Sequence, residues 1–210
     1  MPLVSDPKLS ATSLGMTARL SLRALGGWKI EGPLPTVPKA VVLAFPHTSN
    51  MDGLLLILLA ESVGLHAHWL IKDSWGKPPI GPLIRKFGGI PIDRSKANGM
   101  VDQLVEEFRR ADRMLLLIPP EGTRSRTEYW KSGFYRIALG ANIPVIPGYM
   151  DFSRRRAGFG PPLEMTGDVK ADMDQIRAHY GNDFERMGRF PADVGPIRLR
   201  DEDASPTGAA

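Results

Sequence analysis

The 210-residue chain contains no cysteine. That excludes disulfides, thiol nucleophiles and cysteine-ligated metals, and it fits a reducing compartment. No apolar run reaches the roughly 18 residues of a membrane-crossing helix, and the longest, starting at Leu54, is interrupted by Glu61. The N-terminus lacks the basic start, long apolar centre and small-residue cleavage site of a signal peptide, so a cytoplasmic protein is expected. Net charge is also small. Twenty-seven basic residues against 23 acidic ones leave +4, enough to tolerate anionic lipids or anionic substrates but no footprint for nucleic acid. The length suits one domain with a real core.

What the chain does have is a regular alternation of elements. Short apolar runs at residues 40–45, 66–71, 89–93, 114–118 and 143–149 read as strands, and helical patterns lie between them. The expectation is an α/β fold: a three-layer domain with a largely parallel central sheet flanked by helices. It would occupy residues 28–200, after an N-terminal amphipathic helix within 1–27 whose first seven residues are disordered, and before a small-residue, acidic tail at 201–210 that is also expected to be disordered. In the helix, drawn from Lys8 to Leu25, Leu14, Ala18, Leu22 and Leu25 share a side and Arg19 and Arg23 lie elsewhere. Such a helix can lie on a membrane surface or pack on the domain's own core, and apolar stripes more often mean core. Pro91 predicts an edge or bent strand, and Pro144 with Pro147 a strand that is short, at an edge, or lining an apolar passage. Pro161–Met165 reads as a further strand, and Arg154-Arg155-Arg156 as a turn that is either a solvated hairpin tip or a contact for anionic headgroups.

The richest stretch is Phe45-Pro46-His47-Thr48-Ser49-Asn50-Met51-Asp52-Gly53. It joins the first long strand to an apolar run, Leu54–Ala60, expected to be a buried helix capped by Ser49 or Asn50. His47 would leave a strand end and Asp52 would sit in the helix's first turn. An aspartate there can fix one imidazole nitrogen as the N–H and leave the other as a base; it can equally do no more than favour the positive end of the helix. A second pair, His66 and His68, falls on one face of a strand, where a metal-dependent hydrolase using His47, Asp52, His66 and His68 is conceivable, but no third ligand near that pair can be named.

Further along, Gly89-Ile90-Pro91-Ile92-Asp93-Arg94 ends on a guanidinium suited to phosphate or to a salt bridge with an acid. Pro120-Glu121-Gly122-Thr123-Arg124 combines a flexible glycine, a hydroxyl and a guanidinium at a strand end, with Glu121 placed to orient the arginines and Lys131 following.

Together with Ile143-Pro144-Val145-Ile146-Pro147, these blocks keep the order and spacing of the glycerolipid acyltransferase family, which the chain resembles over roughly residues 25–165. The lysophosphatidic acid acyltransferases of that family carry a His-x-x-x-x-Asp first block. Pro91 and Pro119 stand where the family usually has aromatic residues.

The resemblance implies an acyltransferase that moves a fatty acyl group from acyl-CoA or an acyl carrier protein to a lysophospholipid acceptor at a membrane surface, with no cofactor and no catalytic metal. His47 and Asp52 would be catalytic, and Arg94, Glu121, Gly122, Thr123, Arg124 and Lys131 would bind substrate. The first acceptor to expect is 1-acylglycerol-3-phosphate, giving phosphatidic acid; an ornithine lipid, a glycolipid or a purely lipid-binding role are the alternatives. The protein would sit peripherally on the inner face of the membrane.

Overall fold

The computed structural model describes residues 13–86, 88–92 and 97–203. The expected disordered residues 1–7, the start of the N-terminal helix, Arg94 and residues 204–210 lie outside them, as does the side chain of Leu14.

Among the described residues seven strands form one sheet: β1 (Lys29–Glu31), β2 (Lys39–Phe45), β3 (Ala67–Lys72), β4 (Gly89–Ile92), β5 (Met114–Ile118), β6 (Val145–Asp151) and β7 (Arg156–Phe159). Their order is β1-β7-β6-β2-β5-β3-β4. The five strands from β6 to β4 run parallel, and β7 turns back antiparallel to β6 with β1 parallel beside it. All five strands named from the sequence are present, with ends shifted by a residue or two. β2 lies at the centre because Ala40–Phe45 is apolar at every position and covered on both faces.

Pro91 does fall on an edge strand, β4. Pro147 does not: β6 is seven residues long and lies between β7 and β2, which corrects the expectation of a short or edge strand. Pro147 lacks an N–H, but its carbonyl still accepts from Gly160 at 2.7 Å. Pro161–Met165 is not a strand either; Leu163 makes one isolated bridge to Val145. Arg154 and Arg155 occupy the turn between β6 and β7, and Arg156 opens β7.

Among the described residues six α-helices flank the sheet: α1 (Ser13–Ala24), α2 (Asn50–Ser62), α3 (Gly81–Lys86), α4 (Ala97–Arg110), α5 (Gly133–Ala141) and α6 (Val169–Tyr180). α4 buries Val101, Leu104, Val105 and Phe108 against the sheet, a stripe at helical spacing. α1 packs through Ala18 and Leu22, which are buried, and Leu22 joins Leu55 and Leu59 of α2 in one cluster. Arg19 Nε donates to the carbonyl of Ser62 at 2.9 Å. Core packing is therefore one of this helix's uses, while Met16 and Leu20 on its other side are 65 % and 58 % exposed. Among the described residues no helix is long and apolar enough to cross a membrane. α2 is less buried than its sequence suggests, since Leu54 is half exposed. Beyond α6, Val194, Ile197 and Leu199 return to the main core, and Arg200–Asp203 forms a short 3-10 turn where the tail was expected to be disordered.

Candidate active site

β2 and β5 pair in parallel with Leu43 opposite Ile118, so the loops leaving their carboxyl ends lie side by side. Open α/β sheets bind ligands outside such ends. Pro46–Ser49 continues from β2 through a cis Phe45–Pro46 bond, and residues 119–124 continue from β5. Phe45 anchors the first loop in an aromatic cluster with Trp130, Tyr180 and Phe184.

Ser49, extended at φ −151°, is the N-cap of α2, and Asp52 stands in its first turn. His47 Nδ1 lies 3.4 Å from Asp52 Oδ2; 20 % of the histidine side chain is exposed and none of the aspartate. That separation exceeds the usual N–H···O range, and Nδ1 forms no hydrogen bond. The contact is therefore an electrostatic one in which a small ring movement would complete the bond. Oδ2 meanwhile accepts the main-chain N–H groups of Thr48 at 2.6 Å and Ser49 at 2.8 Å, and the Ser49 hydroxyl donates to Oδ1. Asp52 thus does both things the sequence posed as alternatives: it closes the helix start and faces the imidazole.

Burial pushes the Asp52 pKa up, but the nearby His47 imidazole and the hydrogen bonds from Ser49 and Thr48 outweigh it and hold the carboxyl below its ordinary value. A fixed anion beside the ring can orient the imidazole and stabilise its protonated form.

Glu121 is placed differently from expectation. It is 2 % exposed, and its Oε1 accepts the main-chain N–H of His47 at 3.0 Å while Oε2 has no partner. Burial, opposed in part by hydrogen bonds from the His47 and Glu121 main chain and reinforced by Asp52, raises its pKa to about 8. Near neutral pH it is a neutral carboxylic acid that props the histidine loop, not an anion that orients arginines. The guanidiniums go elsewhere: Arg124 Nη1 donates to Asn50 Oδ1 at the start of α2, and Arg126 Nη1 to the Val194 carbonyl.

Gly122 has φ +66°, and a Cβ there would stand 2.8 Å from Lys131 Cγ, so the turn requires glycine and Lys131 lies across it. The Thr123 hydroxyl accepts from Ser125 N–H at 3.3 Å. Glu121 thus reaches His47, Arg124 reaches the first residue of α2, and Lys131 lies across Gly122. Of the backbone N–H groups at the start of α2 and in the Glu121-Gly122 turn that could face an oxyanion, those of Thr48 and Ser49 are committed to Asp52 and that of Gly122 to the Pro119 carbonyl.

Sequence reasoning missed the C-terminal contribution. The N–H of Phe190 donates to the Thr48 hydroxyl at 3.3 Å across 142 residues, and no local signal foretells it. His68 is buried within the sheet, and burial, followed by the influence of His66, lowers its pKa. Among the described residues no three His, Asp or Glu side chains gather as metal ligands would.

Between α2 and the sheet is an apolar cavity of about 30 Å³, lined by Leu56, Leu59, Gly148, Tyr149 and Phe159 among others. It has room for a water-sized group or two, so an acyl chain would have to open it.

No curated protein matches this sequence. Among solved structures the chain is similar in fold to the 1-acyl-sn-glycerophosphate (LPA) acyltransferase PlsC from Thermotoga maritima, with a TM-score of 0.53 and 20 % identity over 77 % of this chain and 71 % of that one. The acyltransferase family profile matches residues 29–151, more than half the chain and the whole of the His47–Asp52 and Glu121–Arg124 loops. The protein belongs to the acyltransferase family, and it is an acyltransferase.

Proposed function

We propose that the enzyme transfers a fatty acyl group from an acyl-CoA or acyl carrier protein thioester to the hydroxyl of a glycerolipid, with 1-acylglycerol-3-phosphate as acceptor and phosphatidic acid as product, in phospholipid biosynthesis. The observation that carries this is the partly exposed His47 beside a wholly buried Asp52, with Arg124 on the adjoining loop. His47 Nε2 takes the acceptor's hydroxyl proton as that oxygen attacks the thioester carbonyl. Asp52 stabilises the imidazolium. When the tetrahedral adduct collapses, the C–S bond breaks and the thiolate takes the proton back from His47, so transfer is direct and no acyl-enzyme forms. Arg124 and Lys131, with Gly122 and Thr123, hold the acceptor phosphate; Arg94 also binds it, and Glu121 braces the histidine loop.

The exposed Met16 and Leu20 with Arg19 and Arg23 supply apolar area and positive charge for peripheral contact with the inner face of the membrane. The test is thiol release from acyl-CoA by purified protein, with lysophosphatidate, an ornithine lipid precursor and a glycolipid as competing acceptors, and acyl carrier protein thioester as a second donor. Release that depends on lysophosphatidate and yields phosphatidate supports the reading. Release at the same rate with no acceptor makes the protein a thioesterase.

A further inference from the structure

A direct transfer brings two phosphate-bearing molecules to His47, and the sheet offers two sides from which they can come. β2 has β5 on one side and β6 on the other. The loop after β5 carries Arg124. The turn after β6 reaches the same end of the sheet, because Phe45 pairs with Tyr149, and it carries Arg155.

Here the structure holds a pocket of about 350 Å³, within the range of small-molecule sites, whose lining includes Trp28, Met51, Leu55, Phe152, Arg155 and Arg189. Met51 and Leu55 are one helical turn apart on α2, and Met51 is the residue before Asp52.

Both guanidiniums are poised and uncompensated. Arg155 has φ +54°, in the left-handed region, and its Nη1 donates to the Gly26 carbonyl at 2.9 Å. A Cβ on Gly26 would stand 2.8 Å from the Arg155 guanidinium carbon, so the missing side chain makes room for that group. Left-handed backbone outside glycine is strained and persists where its surroundings hold it. Arg189 lies over the ring of Phe190 at 5.7 Å, and the Phe190 N–H is bonded to Thr48. Among the described residues neither arginine forms an ion pair with a carboxylate. Arg155 and Arg189 also lie beyond residues 29–151, the family-matched segment.

We infer that this pocket is the acyl donor's site and takes the 3′-phosphorylated adenosine diphosphate end of coenzyme A, its phosphates on Arg155 and Arg189 and its base and ribose against Trp28, Phe152 and Met51. The pantetheine arm then passes over the first turn of α2 to His47, while the acceptor's phosphate is held from the Arg124 side. The inference rests on the acyl-transfer reading above and specifies where its donor binds.

Calorimetric titration of coenzyme A and of dephospho-coenzyme A into the full chain tests it. Arg189→Ala, at an exposed position, should weaken coenzyme A binding about tenfold, the loss of one charge-assisted hydrogen bond. Arg155→Ala should do the same. Arg154→Ala, on the same turn but outside the pocket, should not. Dephospho-coenzyme A should bind wild type more weakly and lose less on Arg189→Ala. Unfolding temperatures establish that each variant is folded, and Arg189→Ala carries the test if Arg155→Ala is not.

Coenzyme A affinity unchanged in Arg189→Ala, an equal loss in Arg154→Ala, or a loss confined to lysophosphatidate overturns the assignment. The two readings fail separately. Acyl transfer whose donor KM ignores Arg189→Ala removes this site and keeps the reaction. Coenzyme A held by Arg189 in a protein that acylates no lipid hydroxyl does the reverse.

Discussion

The main-chain N–H of His47 donates to Glu121 Oε1 at 3.0 Å, tying the loop after β2 to the loop after β5. Because Glu121 is buried and its pKa is raised to about 8, that tie is made by a neutral acid under physiological conditions. The loop that carries the histidine is therefore held without a second anion competing with Asp52 for it.

The pH dependence follows in sign. The folded state keeps the Glu121 proton through a window, from about 4.5 to about 8, in which the unfolded chain releases it. This contribution to stability is full below pH 4.5, declines as pH rises, and is lost above pH 8. Glu121→Gln cannot titrate, so the difference in unfolding free energy between wild type and variant should change by a few kcal/mol between pH 5 and 8, in favour of the variant as pH rises. Urea unfolding across that range measures it, and parallel curves would show that Glu121 does not hold a proton.

Arg124→Ala should raise the acceptor's KM about tenfold and leave the donor's nearly unchanged, since a ground-state contact to the headgroup is removed. Steady-state kinetics with each substrate varied in turn decide it. A rise confined to the donor's KM would move the acceptor phosphate away from this loop.

Two faces of α1 should behave differently. Leu22→Ala, in the cluster with Leu55 and Leu59, should cost about 2–5 kcal/mol of stability. Met16→Glu with Leu20→Glu, on the exposed side, should leave stability within about 0.5 kcal/mol but reduce sedimentation with anionic vesicles. Undiminished sedimentation would place the membrane contact on another surface.

Much of this architecture was legible in residue order. Ala40–Phe45 and Met114–Ile118 are apolar throughout, and a strand buried on both faces has to be. Ser49 announced the start of α2, and the spacing from His47 to Asp52 fixed their approach because a strand end and a first helical turn are rigid neighbours. What stayed illegible was long-range or permissive. Pro147 reads as an edge residue, yet its carbonyl finds Gly160 and its missing N–H is tolerated inside the sheet. Glu121 reads as a partner for the adjacent arginines; the turn at Gly122 directs it inward instead, while Arg124 goes to Asn50. The bond from Phe190 to Thr48 joins residues that no periodicity relates.

Asp52→Asn separates the aspartate's two jobs. The amide can offer one oxygen to the Thr48 and Ser49 N–H groups but carries no charge to set against an imidazolium. Turnover should fall by roughly 10²-fold or more, with a smaller loss of stability from the weakened helix start. Stability lost with turnover kept would make Asp52 a helix cap alone.

The proposed mechanism makes His47 the base that activates the acceptor hydroxyl. His47→Ala leaves the main-chain bond to Glu121 available, so the fold should persist by circular dichroism. Thiol release from acyl-CoA with saturating lysophosphatidate should then drop by roughly 10²–10⁴-fold. Turnover above about a tenth of wild type, worth no more than about 1.4 kcal/mol of barrier, would contradict that role.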